Sequence, residues 1–128
     1  MQIDTTKKTM ESNKEKELAT VKTAMTVLGY VISAIFIVLG LPLVLELIEP
    51  NSAYGVRTAQ ALSDENTWYH LNSIGGWGMI VSGLLSFLTI RTLKNNENLE
   101  SVKSIVVISC IPALFPIVIL GCTYLFMM

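Results

Sequence analysis

Residues 24–48 read AMTVLGYVISAIFIVLGLPLVLELI, an apolar stretch of 25 residues with one formal charge, Glu46. As a helix it extends over about 37 Å, more than the roughly 30 Å hydrocarbon core of a bilayer. Two further apolar stretches, residues 74–90 and 104–128, contain no charged residue. Because the bilayer core offers no water to the backbone, each stretch is expected to be a helix. The sequence therefore predicts an all-α integral membrane protein with three transmembrane helices.

The overall composition supports a membrane protein over a water-soluble domain. Of the 128 residues, 52% are hydrophobic and 15% are charged. A small soluble domain has a large surface for its volume and needs more polar residues to cover it. The net charge of −1 also gives no electrostatic support for a nucleic-acid partner.

Basic residues are unevenly distributed among the polar segments. Residues 1–22 contain five lysines and residues 91–103 contain three basic residues, whereas the connection 49–73 contains only Arg57. Positive charge favours the cytoplasmic side, so we expect the N-terminus inside and the C-terminus outside a bacterial plasma membrane. The predicted organisation is a polar cytoplasmic tail, residues 1–22, followed by a three-helix membrane domain, residues 23–128.

Local features indicate where the predicted helices begin, bend and meet. Ser12 and Glu15 have the spacing of a capping box, which predicts a helix start in the tail. Pro42 removes a backbone donor and predicts a kink in the first membrane helix. Small residues at four-residue spacing give the second helix a face that a neighbouring backbone can approach closely. These residues are Gly78, Ser82 and Ser86, and Gly75, Gly76 and Gly83 add to this face.

The connection between the first two apolar stretches carries the most specific pattern, PNSAYGVRTAQALSDENTWYHLNSIGG at residues 50–76. Pro50 and Asn51 favour a turn, and Gly55 permits a positive φ. Ser63 is a candidate N-cap because two acidic residues follow it. We therefore expect a short extracytoplasmic helix that leads into the second transmembrane helix.

Arg57 is the only Lys or Arg in residues 49–73, and Glu46 and Glu49 precede it. A carboxylate near the end of a membrane helix is costly unless it is paired or hydrated. The planar guanidinium of arginine fits the two oxygens of a carboxylate. We therefore expect Arg57 to contact Glu46 or Glu49. Such a pair either fixes the connection to the first helix or forms a polar pocket for a peptide terminus or a lipid headgroup.

This connection resembles the signature of the SdpI/YfhL family of small bacterial membrane proteins. The family pattern is PN, then YG-aliphatic-RT, then a Leu, an acidic residue, a Trp, an Asn and a Gly that opens the next helix. The family often has proline where this chain has Ala59, and arginine where it has Ser73. The matching positions are Pro50, Asn51, Tyr54, Gly55, Arg57, Thr58, Leu62, Trp68, Asn72 and Gly76.

The family takes its name from immunity to a secreted toxic peptide. The resemblance therefore implies an immunity-type membrane protein that protects against, or interacts with, a secreted antimicrobial peptide. Candidate residues for partner binding or for the structure of the motif are Glu46, Asn51, Tyr54, Gly55, Arg57, Thr58, Trp68, Asn72 and Gly76.

Other classes of function have less support. No metal site or cofactor is expected, since His70 is the only histidine and Cys110 and Cys122 form no cluster. No nucleophile-elbow, zinc-protease or P-loop motif occurs, so we do not expect an enzyme. The alternatives that stay open are a small oligomeric transporter or channel, a lipid-binding membrane protein, and signalling through a cytoplasmic regulator. Homo-oligomerisation also stays open.

Overall fold

The computed structural model describes residues 2–94 and seven positions beyond them, Lys103, Val107, Cys110, Ile111, Leu114, Val118 and Gly121. The described part is all-α: helix α1 spans Gln2–Val44 and helix α2 spans Glu65–Lys94. It thus has two helices rather than the expected three. The predicted third helix, residues 104–128, lies outside the described residues except for six isolated positions, each with helical backbone.

Helix α1 is about 64 Å long and extends well beyond the thickness of a hydrocarbon core. Its first part, up to Lys22, is polar and almost wholly exposed from residue 6 onward. The prediction of a helix start at Ser12 is wrong, because α1 begins at Gln2 and continues through that position. Runs of Lys and Glu have high helix propensity and pair at i, i+4, so the helix needs no cap there. The proposed boundary between residues 22 and 23 marks a change of composition inside one helix.

Both helices are long and apolar enough to cross a membrane. The apolar part of α1 exposes large side chains, among them Val27, Val31, Ile35 and Val38, rather than burying them. Side chains of this kind are favourable against lipid and unfavourable against water. The length, composition and exposed apolar surface of the helices are those of a membrane protein.

Helices α1 and α2 are antiparallel, and their backbones touch through glycine. A Cβ atom added at Gly76 would lie 2.7 Å from the carbonyl oxygen of Gly40, and one added at Gly83 would lie 2.7 Å from that of Ser33. Further along, the rings of Tyr30 and Phe87 pack with centroids 4.8 Å apart. Direct backbone contact of this kind lets two apolar helices associate without a hydrophobic driving force between them.

The small-residue face predicted for α2 is confirmed except at Gly78. Ser82 and Ser86 are buried as expected, but Gly78 is half-buried and the close contacts to α1 come from Gly76 and Gly83. Gly76 and Gly83 are seven residues apart and share a face, whereas Gly78 lies about 200° around the helix from Gly76. Gly78 therefore lies away from the contact with α1.

Candidate functional site

The candidate site is the connecting loop, residues 45–64, which begins at a left-handed cap on α1. Pro42 lies inside α1, which ends two residues later at Val44. The amide of Leu47 donates to the carbonyl of Pro42 at 3.0 Å, and that of Glu46 to the carbonyl of Leu43 at 3.3 Å. These bonds define a Schellman cap with Glu46 (φ 56°) where glycine is usual. The Glu46 carboxylate is exposed at this cap and does not lie within the helix.

Asn51 shapes the first turn of the connecting loop. Its Oδ1 accepts hydrogen bonds from the amides of Ala53 and Tyr54, both at 2.8 Å. Its Nδ2 donates to the carbonyl of Glu49 at 2.7 Å. Asparagine is suited to this Asx turn because its short amide replaces backbone donors and acceptors. Asn51 therefore acts within the loop and fixes its local course.

Asn72 attaches the middle of the connecting loop to α2. Its side chain is 2% exposed. The amide of Val56 donates to Oδ1 of Asn72 at 2.6 Å, and Nδ2 of Asn72 donates to the Val56 carbonyl at 3.5 Å. Nδ2 also donates to the Trp68 carbonyl at 2.9 Å, one turn earlier in α2. The side-chain amide thus pairs with both polar groups of one loop residue, as a neighbouring strand would.

Gly55 makes this attachment possible. Its φ is +104°, a conformation that L side chains rarely adopt, and an added Cβ would lie 2.1 Å from Oδ1 of Asn72. Glycine is therefore needed both for its backbone conformation and for the close approach. The adjacent glycine of α2, Gly75, leaves room for the side chain of Val56, whose Cγ2 would lie 2.9 Å from an added Cβ.

Trp68 anchors the first residues of the loop. Its side chain is fully buried, and Nε1 donates to the carbonyl of Ile48 at 2.9 Å. Its ring belongs to a small core whose other buried members are Ala61 and Leu71. Burial of a tryptophan with its N–H satisfied combines a large apolar contact with a directional bond. Trp68 and Asn72, one helical turn apart, therefore hold two separate points of the loop.

The end of the loop prepares the start of α2. Thr58 accepts a hydrogen bond from the amide of Ala61 at its Oγ1, 3.1 Å away. The N-cap is Asp64 and not Ser63 as predicted: Oδ1 of Asp64 accepts from the amide of Thr67 at 2.9 Å, and Oδ2 from the Thr67 hydroxyl at 2.6 Å. Ser63 instead donates its hydroxyl to the carbonyl of Gln60 and to Asp64. A carboxylate caps as well as a hydroxyl and adds charge at the positive end of the helix.

The short helix expected to lead into the second membrane helix is present and joins it without a break. The segment that starts after Asp64 is the first part of α2, which continues without a break to Lys94. Hydrogen bonds from Thr67 hold the pKa of the Asp64 carboxyl below its ordinary value. The cap is therefore charged at neutral pH.

Tyr54 and Arg57 contact backbone oxygens rather than charged groups. The Tyr54 hydroxyl donates to the carbonyl of Leu39 in α1, close to the place where Pro42 leaves the helix one donor short. Burial raises the pKa of the Tyr54 phenol, so this group stays protonated as a donor. Nη1 of Arg57 donates to the carbonyl of Ser52. Among residues 2–94 it forms no ion pair with either nearby glutamate, so the predicted pairing is absent from this part of the chain.

The motif residues thus differ in which parts of the structure they connect. Gly55, Trp68 and Asn72 meet where the loop packs on α2, and Tyr54 joins the loop to α1. Asn51, Arg57 and Thr58 each bond within the loop, and Glu46 ends α1. Gly76 belongs to the contact between the helices. The sequence did not indicate the contact of Gly40 with Gly76, the N-cap at Asp64 or the bonds of the Val56 backbone to Asn72. Gly40 and Gly76 are far apart in the chain, so no local pattern indicates their contact.

The side chains of the connecting loop differ in what they present to the surroundings. Among the described residues, no group of three or more His, Cys, Asp or Glu side chains is placed to hold a metal ion. The side chains that hold the loop point inward, whereas Glu46, Glu49 and Arg57 are exposed. Large apolar side chains accompany them, with Leu47 68% and Leu62 53% exposed. The loop therefore presents both charged and apolar groups on a fixed backbone.

Comparison with known proteins identifies a family relationship. The family model described as the SdpI/YfhL protein family matches residues 47–123, more than half of the chain, and includes the connecting loop from residue 47 onward and all of α2. This confirms the resemblance found in the sequence. Neither the curated proteins nor the solved structures yield a match to this chain.

Proposed function

The chain belongs to the SdpI/YfhL protein family, and we propose that it is an immunity-type protein of the bacterial plasma membrane that binds a secreted antimicrobial peptide at its connecting loop. The observation that carries the proposal is the attachment of this loop by Asn72 and Trp68. A loop of twenty residues without such bonds would lose much entropy on binding. A loop already fixed avoids that cost and presents its exposed side chains in one arrangement.

The charges of the loop indicate what kind of peptide it would bind. Residues 45–65 contain four carboxylates, Glu46, Glu49, Asp64 and Glu65, and one basic residue, Arg57. All five are exposed. An excess of negative charge next to exposed leucines is complementary to a cationic amphipathic peptide. The proposed role is capture of such a peptide at the membrane surface, without covalent chemistry.

For this role the loop must face the outside of the cell. Lys22 of α1 and Lys94 of α2 line the same cavity, at the opposite end of the helix pair from the loop. The basic residues that border the apolar parts of α1 and α2 therefore lie together, away from the loop. The positive-inside rule favours the cytoplasmic side for such residues, and the loop would then face outward. We propose three membrane spans with the N-terminus inside and the C-terminus outside.

Cysteine labelling tests this orientation. Ser52→Cys lies in the loop and Ser12→Cys in the polar part of α1, and both positions are exposed. Cys110 and Cys122 are first replaced by alanine. An impermeant maleimide should label position 52 in intact cells and position 12 only after lysis. The reverse pattern would move the loop to the cytoplasm and exclude capture of a secreted peptide there.

The proposed function itself is tested in cells. The gene is deleted in its host, and the deletion strain is challenged with peptide fractions secreted by neighbouring strains. We expect at least one fraction to inhibit the deletion strain more than the parent, and expression of the wild-type chain to restore resistance. Asn72→Ala should restore less, because it frees the loop. Equal sensitivity of the deletion strain and the parent to every fraction would contradict an immunity role.

A further inference from the structure

A second feature lies at the other end of the helix pair, away from the connecting loop. A cavity of about 400 Å³ is lined by Lys22, Thr23, Thr26, Val27 and Tyr30 of α1 and by Lys94 of α2. Its size falls within the roughly 300–1,000 Å³ of sites that hold small ligands. The family motif contributes none of these residues, and the proposed capture of a peptide does not use them.

Among the described residues, the charge in this cavity is positive and no acidic side chain lines it. Within the described part of the chain, neither Lys22 nor Lys94 has an acidic side chain within 4.0 Å. Two ammonium groups on one cavity repel each other, and each carries three donors that an anion can satisfy. The two lysines come from positions 72 residues apart in the sequence, so only the antiparallel packing of α1 and α2 brings them together. The cavity is therefore suited to an anion.

The hydroxyl groups of the cavity add a second requirement. Thr23 donates its hydroxyl hydrogen to the carbonyl of Ala19 at 2.9 Å, and Thr26 donates to the carbonyl of Lys22 at 2.7 Å. With their hydrogens used, both oxygens offer lone pairs, which accept a hydrogen bond from a ligand hydroxyl. A phosphate ester that also carries free hydroxyls matches both sets of groups.

The position of the cavity along the helices indicates the source of such an ester. Lys22 is the last charged residue before the apolar part of α1, and Lys94 follows the uncharged residues 74–90 of α2 by one turn. This is the level at which a membrane helix leaves the hydrocarbon core and meets the lipid headgroups. Val27 and the ring of Tyr30 line the side of the cavity nearer the apolar parts of the helices. A headgroup held by its own acyl chains would enter with its phosphate near the lysines.

We infer that this cavity binds the headgroup of an anionic, hydroxyl-bearing glycerophospholipid, with Lys22 and Lys94 on the phosphate. The inference does not depend on the function of the connecting loop. It also assigns the two lysines a role distinct from that of the lysines earlier in α1, which are exposed along its polar part.

Native mass spectrometry of the full chain in a neutral detergent tests the inference, with phosphatidylglycerol as the probe and phosphatidylcholine, whose headgroup is zwitterionic and has no hydroxyl group, as the comparison. One basic residue near anionic lipid contributes a binding free energy that corresponds to about 5-fold in affinity. Lys22→Gln and Lys94→Gln should therefore each weaken phosphatidylglycerol binding about 5-fold, and the double variant should weaken it about 25-fold. The matched control Lys14→Gln/Lys16→Gln removes the same charge from the exposed part of α1 and should leave binding within about 2-fold. Phosphatidylcholine binding should be the same in all variants.

Three further measurements make the outcome decisive. Lys22→Arg/Lys94→Arg should retain phosphatidylglycerol binding. The helical circular dichroism of every variant should equal that of the wild type, so that a loss of lipid binding reports a change at the site and not a change of fold. Soluble glycerol phosphate should fail to displace the lipid at equal concentration. Equal loss in the control variant, or full binding by Lys22→Gln/Lys94→Gln, would overturn the inference. Displacement by glycerol phosphate would overturn its lipid part and assign the cavity to a soluble phosphate ester.

Discussion

Replacement of Asn72 by alanine is the sharpest perturbation of the connecting loop. The change removes two short hydrogen bonds, from the Val56 amide at 2.6 Å and to the Trp68 carbonyl at 2.9 Å, and a longer one at 3.5 Å. Each of the two short bonds contributes about 0.5–1 kcal/mol net, and a backbone donor left without a partner in a half-buried site costs about 1–2 kcal/mol more. We therefore expect Asn72→Ala to destabilise the attached loop by about 2–4 kcal/mol.

This destabilisation should be local. The contacts between α1 and α2 at Gly76 and Gly83 do not involve Asn72, so the helical circular dichroism should stay the same. Hydrogen exchange should show the difference. The Val56 amide, protected by Asn72 in the wild type, should exchange about 25- to 700-fold faster when the loop opens more often.

The matched control is Asn66→Ala, the same change six residues earlier in α2 at an exposed side chain. It should change stability by no more than about 0.5 kcal/mol and leave exchange at Val56 as it is. The reasoning would be refuted if Asn72→Ala also stayed within about 0.5 kcal/mol of the wild type. It would be refuted equally if exchange increased along both helices to the same extent as in the loop.

Three more substitutions test separate parts of the structure. Gly76→Ala places a methyl group 2.7 Å from a backbone oxygen of α1 and should lower the free energy of unfolding in detergent by about 1–3 kcal/mol. Gly121→Ala, where an added Cβ meets no atom of the described residues within 4 Å, should not lower it, and equal effects would contradict the close contact. The pKa of Asp64 is lowered, so the stability that this carboxylate contributes is complete well above its unfolded pKa of about 3.8 and is lost as the pH falls through the folded pKa. The melting temperature of the wild type should therefore fall in acid, and that of Asp64→Asn should not show this loss. Parallel acid titrations of the two proteins would contradict the cap. Glu46→Gly relieves the positive φ at the cap and should raise stability by about 0.5–1 kcal/mol, while a loss would contradict the assigned conformation.

The sequence predicted the helices well because their signal is continuous. Uncharged runs such as residues 74–90 have one stable form in lipid, so an all-α membrane fold followed from composition and length. The end of α1 was less predictable. Proline at position 42 indicated a kink, but the cap that follows depends on Glu46 in a left-handed conformation, which glutamate seldom adopts and no local pattern indicates.

The site was predictable as a list of residues and not as a set of contacts. Asn72 and Gly55 were both candidates, yet their direct contact depends on how a twenty-residue loop folds back on α2. Arg57 was expected to pair with Glu46 or Glu49 because attraction between opposite charges is the strongest signal in sequence. At an exposed position water screens that attraction, and a nearby carbonyl, that of Ser52, accepts the guanidinium instead. These contacts depend on the three-dimensional path of the loop backbone, which the sequence alone does not indicate.

The most direct test of the account compares protection from a secreted peptide in two charge variants of the chain. Glu46→Gln/Glu49→Gln removes two exposed carboxylates at the connecting loop, and Glu11→Gln/Glu15→Gln removes two from the exposed polar part of α1. In the deletion strain, challenged with the peptide fraction to which it is sensitive, we expect the loop variant to lose most of its protection and the α1 variant to protect as the wild type does. Full protection by the loop variant, or equal loss in both, would contradict binding of the peptide at the loop.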